Sequence, residues 1–100
     1  MQKMRLFLDT HDAARGSFPK GLTGEQFEAF YPSYLEACAA EGVVNLDIQV
    51  ALQDGRAFCL NLAPDAEAVR RAHARVGLPF DDISEVRTAS PGAIFFKSAA

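Results

Sequence analysis

The 100-residue sequence lacks the features that announce most protein classes. It has only two cysteines, Cys38 and Cys59, too few for a disulfide framework. It has two histidines and neither a His-X-His nor a Cys-X-X-Cys pair, the spacings that mark a closed metal site. Charge of one sign is not in excess: ten Lys and Arg stand against 13 Asp and Glu, a net charge of −3. A nucleic-acid binder needs a basic footprint, so that class is set aside. No apolar run approaches the roughly 20 residues that span a bilayer, which sets membrane insertion aside as well. No signal-peptide pattern opens the sequence, so a reducing cytoplasm is the expected compartment. There is no phosphate-cradling glycine loop, no dinucleotide fingerprint and no Ser/His/Asp or Cys/His nucleophile set.

What is present describes a folded chain. A hydrophobic content of 49% with 23% charged residues suits a packed core and is too apolar for disorder. The length suits a single domain, residues 1–100, with one modest core.

The periodicities predict an element order. Residues 5–11 alternate as a strand, with Leu6, Leu8 and Thr10 on one face and Arg5, Phe7, Asp9 and His11 on the other. Gly16, Pro19 and Gly21 mark the loop that follows. Thr23 and Gln26 have the spacing of a capping box, which opens a helix. Phe27, Phe30, Tyr31, Tyr34, Leu35 and Cys38 form its apolar stripe, with Pro32 expected to kink or break it and Gly42 to close it. Residues 44–52 alternate as the clearest strand, Asp54-Gly55 turns a hairpin, and residues 56–62 return. Asp65 caps a second helix whose stripe is Val69, Ala72, His73 and Val76. A fourth strand is expected over 83–88, and Ala93 to Phe96 is read as an edge strand or docking tail. The order β-α-β-β-α-β predicts a ferredoxin-like α+β fold: a four-stranded antiparallel sheet with both helices on one face.

Such a sheet leaves its second face open. The apolar alternates Leu6, Leu8, Val44, Leu46, Ile48, Val50, Phe58, Leu60 and Leu62 are expected against the helices. Phe7, Asp9, His11, Asn45, Asp47, Gln49, Ala57, Cys59 and Asn61 are then expected on the open face. A second copy could cover that face, giving a homodimer of the α+β-barrel type around a lined cavity.

The sharpest local feature is Asp9-Thr10-His11-Asp12. Asp9 and His11 project to one strand face about 7 Å apart along the chain, and Asp47 on a neighbouring strand could join them. Mixed nitrogen and oxygen donors suit nickel, zinc, manganese or iron. The competing reading is a solvated strand-end histidine between acids. His73, on an apolar helix stripe, is either a core imidazole bonded to a backbone carbonyl or a metal ligand or acid/base group. Cys38 reads as inert core. Cys59 is either structural or, as thiolate, a further ligand. Arg70, Arg71 and Arg75 read as a solvated helix face.

The run from Arg71 through His73-Ala74-Arg75, Gly77-Leu78-Pro79 and Ile83-Ser84-Glu85-Val86 to Thr88 resembles the signature stretch of a bacterial family. Its members are small, carry a domain of unknown function and include an actinobacterial nickel-binding protein. Asp9-Thr10-His11-Asp12, Gly16 to Pro19, Gly42-Val43-Val44, Asp54 to Cys59 and Ala63-Pro64-Asp65 extend the resemblance over most of the chain. The resemblance implies a ferredoxin-like subunit, a dimer, and nickel or another divalent transition metal as cofactor. His73 and Glu85 match the family's shared His…Glu motif. The resemblance raises Asp9, His11 and His73 as functional candidates, and the leading reading makes them metal ligands, with Asp47, Glu85 or Cys59 as added ligands or supporting groups. The rival function is a small-molecule-binding protein or cofactor-free enzyme, with the site on the open face and His11 as a base oriented by Asp9. A third is a site-free interaction domain.

Overall fold

The computed structural model describes residues 3–92. The chain runs β1 (Arg5–Asp12), a short 3-10 turn (Ala13–Arg15), α1 (Gly24–Ala40), β2 (Val44–Ala51), β3 (Arg56–Ala63), α2 (Ala66–Arg75) and β4 (Ile83–Glu85). The four strands form one antiparallel sheet in the order β2-β3-β1-β4, and this is the ferredoxin-like α+β fold. The expected tail over Ala93 to Phe96 lies outside the described residues.

Local chemistry explains where the helices begin. Thr23 Oγ1 accepts from the Gln26 amide while the Gln26 side chain accepts from the Thr23 amide, a complete capping box. Asp65 accepts from the Ala68 amide and opens α2 in the same manner. Pro32 neither breaks α1 nor opens a new helix; α1 is continuous across it. After each helix a glycine takes the left-handed conformation, Gly42 at φ 71° and Gly77 at φ 64°, which other residues adopt at a cost.

The faces of the sheet are reversed from the leucine-based expectation. The core pairs Phe7 and Ala63 with Tyr34 and Cys38 of α1 and with Ala68, Val69 and Ala72 of α2, so both helices cover the odd-numbered face of β1. Asp9, His11, Ala57, Cys59 and Asn61 therefore lie beneath the helices, not on the open face. The register pairs Leu6 with Leu62, Leu8 with Leu60 and Thr10 with Phe58 on the opposite side, where these residues are only half-buried. Two physical features permit the reversal. The small side chains Ala57, Cys59, Ala63, Ala68 and Ala72 are all buried, so the helix layer lies close to the strands. The buried polar groups satisfy one another: among the described residues no buried side-chain nitrogen or oxygen lacks a hydrogen-bond partner.

In β2 the outcome is split. A bulge between Asn45 and Asp47 shifts the alternation by one residue. After it, Ile48 and Val50 pair with Cys59 and Ala57 on the helix side, as expected, while Asp47 and Gln49 pair with Leu60 and Phe58 on the open side. Before it, Val44 pairs with Leu62 on the open side and Asn45 with Asn61 on the helix side, both opposite to expectation.

Candidate metal centre

Asp9 and His11 leave β1 from the same face, and the pairing Asp9↔Cys59 sets Cys59 beside them. α2 packs over this face and brings His73 down onto it from its last turns. Donor atoms of Asp9, His11 and His73 all lie within 4.8 Å of one another. Asp9 and His73 are 0% exposed and His11 is 3% exposed, which separates this cluster from a solvated strand end.

The protons on the two imidazoles can be assigned from their partners. His11 Nδ1 lies 2.7 Å from the Pro79 carbonyl oxygen, with the Ser17 carbonyl at 3.3 Å. His73 Nδ1 lies 2.8 Å from the Val69 carbonyl. A carbonyl only accepts, so each Nδ1 carries the proton and donates it. Both Nε2 atoms are thereby turned to one carboxylate oxygen: Asp9 Oδ1 is 2.7 Å from His11 Nε2 and 3.1 Å from His73 Nε2. In neutral rings these would be lone pairs facing an anion. Only a proton or a metal ion between them makes the contacts attractive.

The surroundings hold this arrangement in place. The imidazole rings stack, with centroids 5.4 Å apart, and Tyr34 and Phe80 meet His73 edge-on. Asn61 Nδ2 donates to Asp9 Oδ2 and to the Tyr34 hydroxyl, both at 3.1 Å. Asn61 Oδ1 in turn accepts from Asn45 Nδ2, and the Tyr31 hydroxyl donates to Asn45 Oδ1. A chain of side chains thus runs from half-buried Tyr31 to the carboxylate. On the other flank, Ser17 Oγ donates to Asp81 Oδ1 at 2.7 Å and accepts from the Asp12 amide, tying the loop that carries the Ser17 carbonyl to the loop after Pro79.

Burial alone would raise the Asp9 pKa, but the hydrogen bonds and charges of His11 and His73 overcome it and hold the carboxyl below its usual range. Burial would lower His11, yet its contacts with Asp9 and the two carbonyls lift it above the ordinary imidazole value. Burial pushes the Cys59 thiol well up, reinforced by the Asp9 charge. The Cys38 thiol is raised mainly by burial, as expected of an inert core cysteine.

Of the residues expected at a site, the fold brings together Asp9, His11, His73 and Cys59, whose Sγ is 3.5 Å from His11 Nε2. Two others are elsewhere. Asp47 follows the bulge onto the opposite face of the sheet. Glu85, opposite Phe7 in the register, ion-pairs with Arg5 at 3.0 Å in solvent. The basic stretch of α2 is solvated, as expected, with Arg71 and Arg75 clasping Glu41 and Arg70 pairing with Glu67. The sequence reading missed the positioning groups Asn61, Ser17 and Asp81. Asn61 was detectable, because it shares a strand face with Cys59; the carbonyls of Pro79 and Val69 leave no trace in residue type.

Residues 7–86 match the family described as Nickel responsive protein SCO4226-like. The chain belongs to this family. Among solved structures it is similar to SCO4226 from Streptomyces coelicolor A3(2), at 30% identity and a TM-score of 0.72, covering 85% of this chain and 99% of that one. No curated protein matches it. The nickel-responsive family and a cluster of one carboxylate with two imidazoles point in the same chemical direction, since these donors suit borderline divalent ions. Among the described residues no helix is long and apolar enough to cross a membrane.

Proposed function

We propose that this protein binds a divalent transition metal, nickel foremost, through Asp9 Oδ1, His11 Nε2 and His73 Nε2. The observation that carries the reading is the pair of Nδ1–H···O=C bonds, which aim both Nε2 atoms at one carboxylate oxygen. Histidine ligands are commonly fixed in this way by their second nitrogen. The separations from Asp9 Oδ1 support it: ligands about 2.1 Å from an ion stand about 3 Å apart when they meet at right angles, and these two are 2.7 and 3.1 Å. Cys59 is the nearest further donor, and a cation would deprotonate its thiol. In such a site the ion would supply positive charge to a buried carboxylate, and its occupancy would be the nickel response.

Isothermal titration of the metal-free protein with nickel at pH 7.5 tests the reading. The wild type is expected to take up one ion per chain, and His73→Gln at least a hundredfold more weakly. Equal uptake by both, or none by the folded wild type, would overturn it. A near-ultraviolet thiolate-to-nickel band that disappears in Cys59→Ser would identify Cys59 as a further ligand.

The open sheet face supports a homodimer. Leu6, Leu8, Phe58, Leu60 and Leu62 are half-buried there, and Val44 and Leu46 at its margin are 52% and 46% exposed. A contiguous apolar face of this kind is what a two-fold interface covers. Leu8→Lys with Leu60→Lys is expected to halve the mass measured by light scattering at micromolar concentration, with nickel uptake retained. A monomeric wild type would exclude the dimer. Free thiols at both cysteines accord with a cytoplasmic protein.

A further inference from the structure

Next to the triad, on the side away from α2, the fold leaves a cavity of about 180 Å³. Its floor is His11, Ala57 and Cys59 on the sheet; its sides include Phe18, Leu22, Phe27, Phe30, Ile48 and Leu78. The floor is buried, while the sides from α1 and the flanking loops are mostly half-buried.

The polar atoms at this floor are turned elsewhere. His11 Nδ1 is committed to the Pro79 carbonyl and Nε2 to Asp9, so the ring presents carbon to the space. The Tyr34 hydroxyl, from another lining residue, is engaged with Asn61. Among the described residues no Lys, Arg, Asp or Glu lines the cavity. Water held in a protein needs two to four polar partners, and this wall does not offer them. An engineered cavity of about 150 Å³ lined by Leu, Ile and Phe in another protein stays dry and takes up benzene. The space here is of that size and chemistry. Three phenyl rings among its walls add edge-to-face partners for an aromatic guest.

We propose that this cavity is a binding site for a small, uncharged, single-ring aromatic molecule. An anion is disfavoured because none of the described lining residues is a cation. The site is distinct from the donor atoms of the triad, although His11 forms part of both, so the proposal stands whether or not nickel binds.

Toluene is the probe, followed by methyl-resolved NMR of the metal-free protein, with benzoate as the charged analogue of similar size. In the wild type, toluene is expected to shift the methyl signals of Leu22, Ile48 and Leu78 saturably, and benzoate at equal concentration to leave them in place. Ala57→Leu, which fills the floor, is expected to weaken toluene binding at least tenfold. Leu22→Trp does the same from the half-exposed rim, which guards against a folding defect in the first variant. His73→Gln alters the triad at a residue that does not itself line the cavity and should bind toluene as the wild type does. The proposal is overturned if toluene produces no saturable shift, if benzoate binds equally, if the shifts fall on Leu6, Leu8 and Leu60 instead, or if both filling variants bind normally. Loss of nickel uptake in His73→Gln with toluene binding intact would separate the two sites.

Discussion

Asp9→Ala is expected to destabilise the protein by about 3–5 kcal/mol, the range for removing one member of a buried ion pair. The carboxylate is wholly buried and meets three groups at once: the Nε2 atoms of His11 and His73 and the Asn61 amide. Alanine leaves all three facing a void, and each buried polar group left without a partner costs about 1–3 kcal/mol. A domain of this size has a total stability of roughly 5–15 kcal/mol, so the variant should stand near the edge of folding. Asp9→Asn keeps the shape and one acceptor oxygen, and it should lose less stability while losing nickel. A urea titration with Asp54→Ala as an exposed reference measures the ordering, with the reference within about 0.5 kcal/mol of wild type. An Asp9→Ala protein that unfolds at the wild-type midpoint would mean that the triad contributes nothing to the fold.

The same burial explains which parts of the molecule were legible in its sequence. Thr23, Gln26 and Asp65 act within one helical turn, so their capping roles follow from spacing alone. The chain order of strands and helices is equally local and fixed the ferredoxin-like fold. The assignment of faces is not local. Leu6, Leu8, Leu60 and Leu62 carry more apolar surface than Phe7, Asp9, Cys59 and Asn61, and hydrophobicity by itself sends the leucines to the core. The helices instead cover the face whose polar groups close on one another. A second copy seated on the leucine face would remove the apparent cost of leaving it half-open. The bulge between Asn45 and Asp47 defeated strict alternation in β2, and with it the expectation that Asp47 joins Asp9.

The candidate site shows the same division. Asp9 and His11 were visible as a two-residue spacing on one strand, and His73 as a histidine on a buried helical stripe. Their convergence depends on α2 packing over the odd face of β1, the face expected to be open. Glu85, expected beside His73 from the resemblance, is carried by an edge strand to Arg5 at the surface. Two residues near in sequence are thus separated by the fold, whereas the triad joins residues 64 positions apart.

The dependence of nickel binding on pH follows from the same proton positions. In the metal-free protein, the raised pKa of His11 contributes stability that is fully present below its unfolded value of about 6.5 and is lost as pH rises through the folded value. The lowered pKa of Asp9 contributes stability that is present above about 3.8 and is lost as pH falls through the folded value. These two groups therefore favour the metal-free fold most between about pH 3.8 and 6.5. Nickel needs the Nε2 lone pairs free and competes with the proton that sits between His11 and Asp9. Its affinity should fall about tenfold per pH unit, for each proton displaced, below the His11 pKa. Nickel at a hundred times its dissociation constant raises stability by about 2.7 kcal/mol. That gain should be larger at pH 8 than at pH 5.5. Thermal unfolding at both values, with and without nickel, checks the sign. A nickel-induced rise in Tm of equal size at pH 5.5 and pH 8 would place the ion on groups that carry no proton in this range, and not on His11.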